Sequence, residues 1–381
     1  MKIAPLVSPG PELSAAEIRR YARHLVMPEI GTIGQRRISA ARVLCVGAGG
    51  LGSPVLMYLA AAGVGTLGVV DFDVVDETNL ARQVIHGQSD IGRKKVISAA
   101  AKIAQINPFV KVVLHDARVD RANVLDLFEG YDIIVDGTDN FATRYLINDA
   151  CVILNKPCVW GSIYRFDGQA SVFWAEHGPC YRCVHPTPPP HGLVPNCAEG
   201  GVLGALCASI GSIQATETIK LITGVGSPLV GSMVIYDGLE SRFDKITIRK
   251  DPACSTCADP TSTELLEDYE AFCGALSFSS EMTAAQLAAR LLSKEKFQLI
   301  DVREPYEWVE SHIEGAVLIP QGEFYDGRAQ EKISRDLPIV LYCHLGVRSA
   351  HALSALKQSG FENVSHLLGG IVSWDEHVRN G

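Results

Sequence analysis

The sequence has no apolar run long enough to cross a membrane. Its longest, residues 55–70, is interrupted by Gly63, Gly65 and Gly68 and falls short of the ~20 apolar residues that a spanning helix needs. The first twelve residues hold one Lys, three Pro and no apolar core of the kind a secretory signal carries. These absences point to a cytoplasmic protein with no membrane partner, in a compartment where thiols stay reduced. Positive charge is in short supply too: 34 Lys and Arg stand against 43 Asp and Glu, a net charge of −9. That argues against nucleic acid as the main partner, because phosphate binding draws on an excess of Lys and Arg. Gly (35) and Pro (19) are ordinary for 381 residues, which excludes a collagenous or disordered class. Cysteine stands out, with eleven residues. In a reducing cell each must be buried, metal-bound or catalytic. At roughly 100–200 residues per domain, the length favours two or three domains.

Read for alternation, the chain is α/β. Ser14 and Glu17 have capping-box form and open a short helix containing Arg19, Arg20, Tyr21 and Arg23. An apolar run at 41–46 leads into a glycine turn, a helix at 53–62 and a second apolar run at 66–70 ending in Asp71. Strand, turn, helix, strand is the first unit of a doubly wound sheet. Extended segments at 111–115, 131–135, 157–160 and 166–174 and helices at 96–106, 141–154 and 204–223 continue it. Between Pro252 and Ala289 there is no Lys or Arg, and six carboxylates fall between Asp259 and Glu281. Residues 261–282 read as a linker between a domain at 1–260 and a smaller α/β domain at 283–381. The second domain has extended segments at 298–302 and 338–343 and a helix at 348–360.

Gly47, Gly49 and Gly52, with Gly50 between them, satisfy G-x-G-x-x-G. Such a turn lets backbone amides approach a phosphate at a helix N-terminus, and Asp71 is placed for a ribose hydroxyl. This context makes a nucleotide site without separating a nicotinamide cofactor from ATP. The next residues do. Asp73 is followed by Thr78, Asn79, Leu80, Ala81, Arg82 and Gln83, Lys95 opens another helix, and Asp136-Gly-Thr-Asp139-Asn140 closes a buried strand at the carboxyl edge of the sheet. Arg23, Arg82 and Lys95 together suit a triphosphate, and Asp139 could hold its magnesium. The competing reading is that these are solvated surface charges.

From Arg20 to about Pro260 the chain resembles the ubiquitin-activating-type adenylyltransferases, specifically the bacterial enzymes that activate sulfur carriers (the MoeB/ThiF group). The residues carrying the resemblance are Arg20-Tyr-Ala-Arg23, the glycine turn, Asp71-Phe-Asp73, Thr78 through Gln83, Lys95 and Asp136 through Asn140. It implies a Rossmann-like ATP-binding domain that adenylates the C-terminal glycine of a ubiquitin-like protein ending in Gly-Gly. It also implies a homodimer, in which Arg23 reaches into the neighbouring subunit's ATP site.

The cysteines sort into groups. Cys180/Cys183 and Cys254/Cys257 are two C-x-x-C pairs, the ligand set of a closed tetrahedral zinc site. Redox use is the rival, disfavoured because neither pair opens a helix after a buried strand. The resemblance also places zinc here. Cys197 follows a proline-rich stretch that would run over the surface, and matches the position at which related enzymes form a covalent link to the carrier. A role-free loop cysteine is the alternative. Cys343 ends an apolar strand and precedes a helix bearing Arg348, a setting that favours a reactive sulfur. Four residues separate Cys343 from Arg348 where phosphatase loops carry five, and the smaller loop suits a persulfide. With Asp301, Arg303, His312, Gly315, Gly370 and Trp374, residues 283–381 resemble the single-domain rhodaneses. Cys45, Cys151, Cys158 and Cys207 read as core packing, and Cys273 is unassigned.

Both halves together resemble adenylyltransferase–sulfurtransferase fusions that make thiocarboxylates on sulfur carriers, in molybdopterin, thiamine, cysteine or tRNA-thiolation pathways. The sulfur donor would be a cysteine desulfurase or thiosulfate. Alternatives are an adenylyltransferase whose rhodanese half only docks a partner, and a nicotinamide dehydrogenase with an unrelated tail.

Overall fold

A computed structural model describes residues 2–189, 201–273, 280–293 and 295–380. The chain forms two compact units, and the first extends to Cys273.

The first unit is an eight-stranded sheet. Its strands are β1 (Arg42–Val46), β2 (Thr66–Val70), β3 (Lys111–His115), β4 (Ile133–Asp136), β5 (Cys158–Tyr164), β6 (Asp167–Phe173), β7 (Ser232–Asp237) and β8 (Arg242–Thr247). They lie in the order β3-β2-β1-β4-β5-β6-β7-β8. The first five are parallel and β6, β7 and β8 continue antiparallel. Parallel strands are covered on both faces, which is why β1, β2 and β4 are nearly continuous runs of buried Val, Leu and Ile. Each such side chain contributes about 1.5–3 kcal/mol on leaving water. One face packs on the helices Gly52–Ala62, Lys95–Ile106 and Gly204–Thr223, the other on the helix Phe141–Ile153.

Connections from β1 run to one side and those from β4 to the other, so the switch point lies between them, where such folds open a crevice at the strands' carboxyl ends. The turn after β1 is pinned shut behind that crevice. A Cβ at Gly52 would sit 1.9 Å from the Gly47 carbonyl oxygen, and Gly47 has φ +96°. Only glycine serves at either place.

Several boundaries differ from the sequence reading. The N-terminal helix is two, Ala15–Arg20 and Ala22–Leu25. The chain breaks at Tyr21, whose ring is buried and whose hydroxyl accepts from Asn107 Nδ2 at 3.0 Å. Within 261–282, Leu265, Leu266 and Phe272 pack against the core around buried Tyr269, and Arg118 pairs with Glu270. This acidic stretch is thus partly held by the first unit, through apolar side chains that its charge composition hides.

The second unit is a parallel sheet of β9 (Glu281–Met282), β10 (Gln298–Asp301), β11 (Val317–Leu318), β12 (Ile339–Tyr342) and β13 (Val364–Leu367), ordered β11-β10-β12-β13-β9. Residues 281 and 282, inside the expected linker, are therefore a strand of this sheet. The buried side chains of β12 fill both faces, and the helix Val347–Gln358 follows it.

Candidate functional site

The crevice at the β1/β4 switch point is lined by Gly47, Gly49 and Gly50 from the turn after β1, by Asp71 and Asp73 after β2, and by Arg82, Gln83 and Lys95. Asp139 and Asn140 close it after β4. Ten residues selected from sequence thus surround one cleft. Asp71 stitches the cleft floor: Oδ2 accepts from Ala48 N and Oδ1 from Asp73 N, both at 2.9 Å. Lys95 Nζ is 2.8 Å from Asp73 Oδ2, and Arg82 donates to the Thr78 carbonyl at 3.0 Å. Asn140 accepts from Thr143 N at 2.9 Å and caps the helix Phe141–Ile153. Asp139 is exposed on the loop beside it.

Gly52, Thr78, Asn79, Leu80 and Ala81 do not line the cleft. Gly52 shapes the turn, while Thr78 and Asn79 build the 3-10 turn that carries Arg82, with Asp76 accepting from Thr78 N at 2.8 Å. Arg23 is exposed on the helix Ala22–Leu25 and is likewise absent from this cleft.

Sequence reading missed Arg144. Its guanidinium is buried, donates to the Thr138 carbonyl at 3.1 Å and to Ser162 Oγ at 3.2 Å, and lines the cleft. Its Nε and the Oε1 of buried Gln83 have no partner among the described residues. Two orphaned polar atoms in one cleft fit a polar ligand rather than an apolar one. Burial pushes the neighbouring Asp136 carboxyl up, partly countered by the Arg144 charge and the Thr138 hydroxyl. Only its place in a helix could have singled Arg144 out, and mid-helix arginines are ordinarily solvated.

Cys180, Cys183, Cys254 and Cys257 converge, with all sulfurs within 4.8 Å of one another. The separations Cys183–Cys257, Cys180–Cys254 and Cys180–Cys183 are 3.3, 3.7 and 3.9 Å. A tetrahedral zinc with bonds of ~2.3 Å sets its sulfurs ~3.8 Å apart, so the four fit one ion. Cys180 precedes a four-residue helix, Tyr181–Val184, but stands well beyond the end of β6 at Phe173, and both pairs sharing one centre favours a ligand set over a redox pair. Cys45, Cys151, Cys158 and Cys207 are buried. Cys197 lies outside the described residues.

In the second unit Cys343 directly follows β12 and is buried. Its sulfur accepts from Gly346 N at 3.1 Å. Arg348 forms a two-pronged pair with Glu307, both bonds 2.6 Å. Burial alone would lower the Arg348 guanidinium, but Glu307 outweighs it and holds the arginine above its ordinary value. The pair ties the Cys343 loop to the helix Pro305–Glu310. Nearby, Asp301 and Arg303 form a buried ion pair.

The ThiF family profile covers residues 21–256 and the rhodanese-like domain profile residues 283–377. The chain belongs to the ThiF family. It carries a rhodanese-like domain behind the ThiF region. A probable adenylyltransferase/sulfurtransferase MoeZ of Mycobacterium tuberculosis is 54% identical over 388 residues, spanning 99% of this chain and 97% of that protein. A sulfur carrier protein adenylyltransferase of Thermus thermophilus is 50% identical over 68% of this chain and 97% of its own length. The adenylyltransferase and sulfurtransferase MOCS3 of Mus musculus is 40% identical over 97% and 88%. Among solved structures, E. coli MccB with ATP aligns at TM-score 0.56 and 20% identity, covering 63% of this chain and 75% of that one. That likeness concerns the fold. The glycine turn, Asp71, Lys95 and Asp139 all fall within the region the ThiF profile matches and line one crevice.

Proposed function

We propose that the first unit adenylates the C-terminal glycine of a ubiquitin-like sulfur-carrier protein with ATP, and that Cys343 then delivers sulfur to the activated carbonyl. The observation carrying this reading is the pairing, on one chain, of a phosphate-ready cleft rimmed by Arg82, Lys95 and Asp139 with a buried cysteine held at the head of a helix.

A C-terminal carboxylate is ionised at neutral pH, so no general base is needed. It attacks the α-phosphorus, the new P–O bond forms, and pyrophosphate leaves with the electron pair of the bond that breaks. The protein's task is in-line placement and relief of charge on the leaving group. Lys95 and Arg82 are the cations for this, and Arg144 is a further donor at the cleft wall. Asp139 would hold magnesium, which would supply neutralisation of phosphate charge. The persulfide of Cys343 attacks the carbonyl carbon, a C–S bond forms and AMP departs. A thiolate then attacks Cys343 Sγ, the sulfur–sulfur bond breaks, and the carrier leaves as a thiocarboxylate. The disulfide so formed on Cys343 is reduced by a second thiol. Cys197 is a candidate for the attacking thiolate, or for trapping the acyl group first.

Zinc on the four cysteines has a structural role in this scheme, because all four tetrahedral positions belong to protein sulfurs. Arg23, exposed and away from its own cleft, supports a homodimer in which it serves the partner's site. Exposed Val26, Met27 and Ile33 nearby supply apolar surface for that contact. The donor of sulfur to Cys343 is a cysteine desulfurase persulfide or thiosulfate. Cys343→Ala tests the scheme. Pyrophosphate exchange should persist while sulfur transfer vanishes; persistent transfer would leave the rhodanese half as a docking module.

A further inference from the structure

His86 is a buried polar residue of the first unit, 6% exposed, that the scheme above does not use. It stands behind the cleft and joins three of the segments that line it. Its Nε2 lies 3.0 Å from the carbonyl oxygen of Ala48 in the glycine turn, and its Nδ1 lies 2.8 Å from Ser98 Oγ. Ser98 is in the first turn of the helix Lys95–Ile106, which brings Lys95 to the cleft. The third segment is its own: His86 N donates at 3.0 Å to the carbonyl of Gln83, which lines the cleft beside Arg82.

The partners fix the protons on the ring. A carbonyl oxygen has none to give, so Nε2 carries one; a bare Nε2 would set two lone pairs against each other. Burial lowers His86 below its ordinary value, opposed by the Ala48 bond and by Asp71 and Asp90, while Lys95 adds to the lowering. The ring is therefore neutral near pH 7, and Nδ1 accepts from the Ser98 hydroxyl. Asp90, the other acceptor near that hydroxyl, is already held by Gly87 N at 2.9 Å and by Arg93. A second proton on the ring would reverse the Ser98 bond and leave the Ala48 bond standing. The Ala48 peptide is thus clamped on both sides, its N–H donating to Asp71 Oδ2 at 2.9 Å and its carbonyl accepting from His86. Ala48 is fully buried, whereas Gly47, Gly49 and Gly50 around it face the cleft. Stripping a buried acceptor of its donor is costly, so the turn would relax away from this conformation.

We propose that His86 is a positioning residue for nucleotide binding: its Nε2–H fixes the Ala48 peptide and its Nδ1 ties the glycine turn to the helix that bears Lys95. The inference rests on the reading of the cleft as an ATP site. Lys95 and Arg82 have anchors of their own, Asp73 Oδ2 and the Thr78 carbonyl. The cations that relieve charge on the leaving group therefore stay in place without His86. What its loss removes is the grip of the turn on the phosphates, which the ground state and the transition state share. Loss of shared binding raises KM and spares kcat.

The test is ATP binding to the full-length protein by isothermal titration calorimetry with magnesium, alongside ATP–pyrophosphate exchange with a Gly-Gly-ended carrier. His86→Phe fills the space without an N–H. It should weaken ATP binding about tenfold and raise the KM for ATP by the same factor, with kcat changed less than about threefold. His86→Gln sets an N–H and an acceptor oxygen at about the spacing of the two ring nitrogens, and should bind ATP within about threefold of the unaltered protein. A merely structural role would lower the melting temperature in both variants and leave ATP affinity alone. The proposal is overturned if His86→Phe binds ATP as tightly as the unaltered protein, if its loss is confined to kcat, or if His86→Gln binds as weakly as His86→Phe. If His86→Phe fails to fold by circular dichroism, His86→Asn takes its place with the same expected loss, because its N–H falls at the Nδ1 position, short of Ala48. An unaltered protein that does not bind ATP would overturn the reading of the cleft and this inference with it. ATP affinity indifferent to residue 86 overturns this inference alone.

Discussion

Lys95 Nζ and Asp73 Oδ2 form an ion pair of 2.8 Å in the cleft at the β1/β4 switch point, the lysine side chain 7% exposed and the carboxylate 49%. This buried cation of the cleft is thus held neutralised at one end by a carboxylate that solvent reaches. An incoming phosphate can take up the free donors of the ammonium without first desolvating it. Lys95→Ala should lower ATP–pyrophosphate exchange by on the order of 100-fold or more, the usual scale for losing one donor to transition-state charge. Exchange within a few-fold of the unaltered protein would remove Lys95 from the mechanism.

Asp139 is exposed on the loop after β4, whereas Asn140 beside it caps a helix through its side chain. Asp139→Ala should therefore abolish pyrophosphate exchange while leaving the melting temperature nearly unchanged. Normal exchange in this variant would refute the magnesium role.

The sulfur geometry of Cys180, Cys183, Cys254 and Cys257 predicts one zinc per chain by elemental analysis. Zinc binding free energy is folding free energy for such a site. Chelation, or Cys257→Ser, should lower the melting temperature on the order of 10 °C. A protein that is metal-free as purified and melts at the same temperature with chelator would contradict the assignment.

Four histidines, His86, His115, His185 and His366, are pushed below their ordinary value by burial. A histidine that is neutral in the fold and easier to protonate when unfolded stabilises the fold above its unfolded pKa. That contribution is lost as pH falls from about 6.5 toward the folded value. His86 is the most consequential, since it holds the Ala48 carbonyl of the glycine turn at 3.0 Å and Ser98 Oγ at 2.8 Å. The urea midpoint should thus fall between about pH 7 and pH 5.5. A flat midpoint across that interval would show that these rings are not buried neutral.

The cleft at the β1/β4 switch point is largely legible in the sequence because its makers are local. The glycine turn, Asp71 and the loop after β4 each follow a recognisable apolar strand, and parallel topology brings strand ends together. Both cysteine pairs are legible by spacing. Arg144 is hidden because a buried arginine inside a helix looks like any surface arginine until the sheet is assembled. Thr78, Leu80 and Ala81 belong to a recognisable motif, but their part is to shape the turn that bears Arg82, and motif membership does not distinguish the two. The acidic stretch at 261–282 reads as a linker by charge, while Tyr269 and Phe272 act through burial.

The carrier product tests the coupling of the two units most directly. A Gly-Gly-ended carrier protein, incubated with the full-length protein, ATP and a persulfide donor, should gain the mass of one sulfur in place of one oxygen by intact-mass spectrometry. The gain should disappear without ATP and with Cys343→Ala. A carrier that becomes adenylated yet never exchanges oxygen for sulfur, or one that gains sulfur equally in Cys343→Ala, would contradict the coupling of the two units in one reaction.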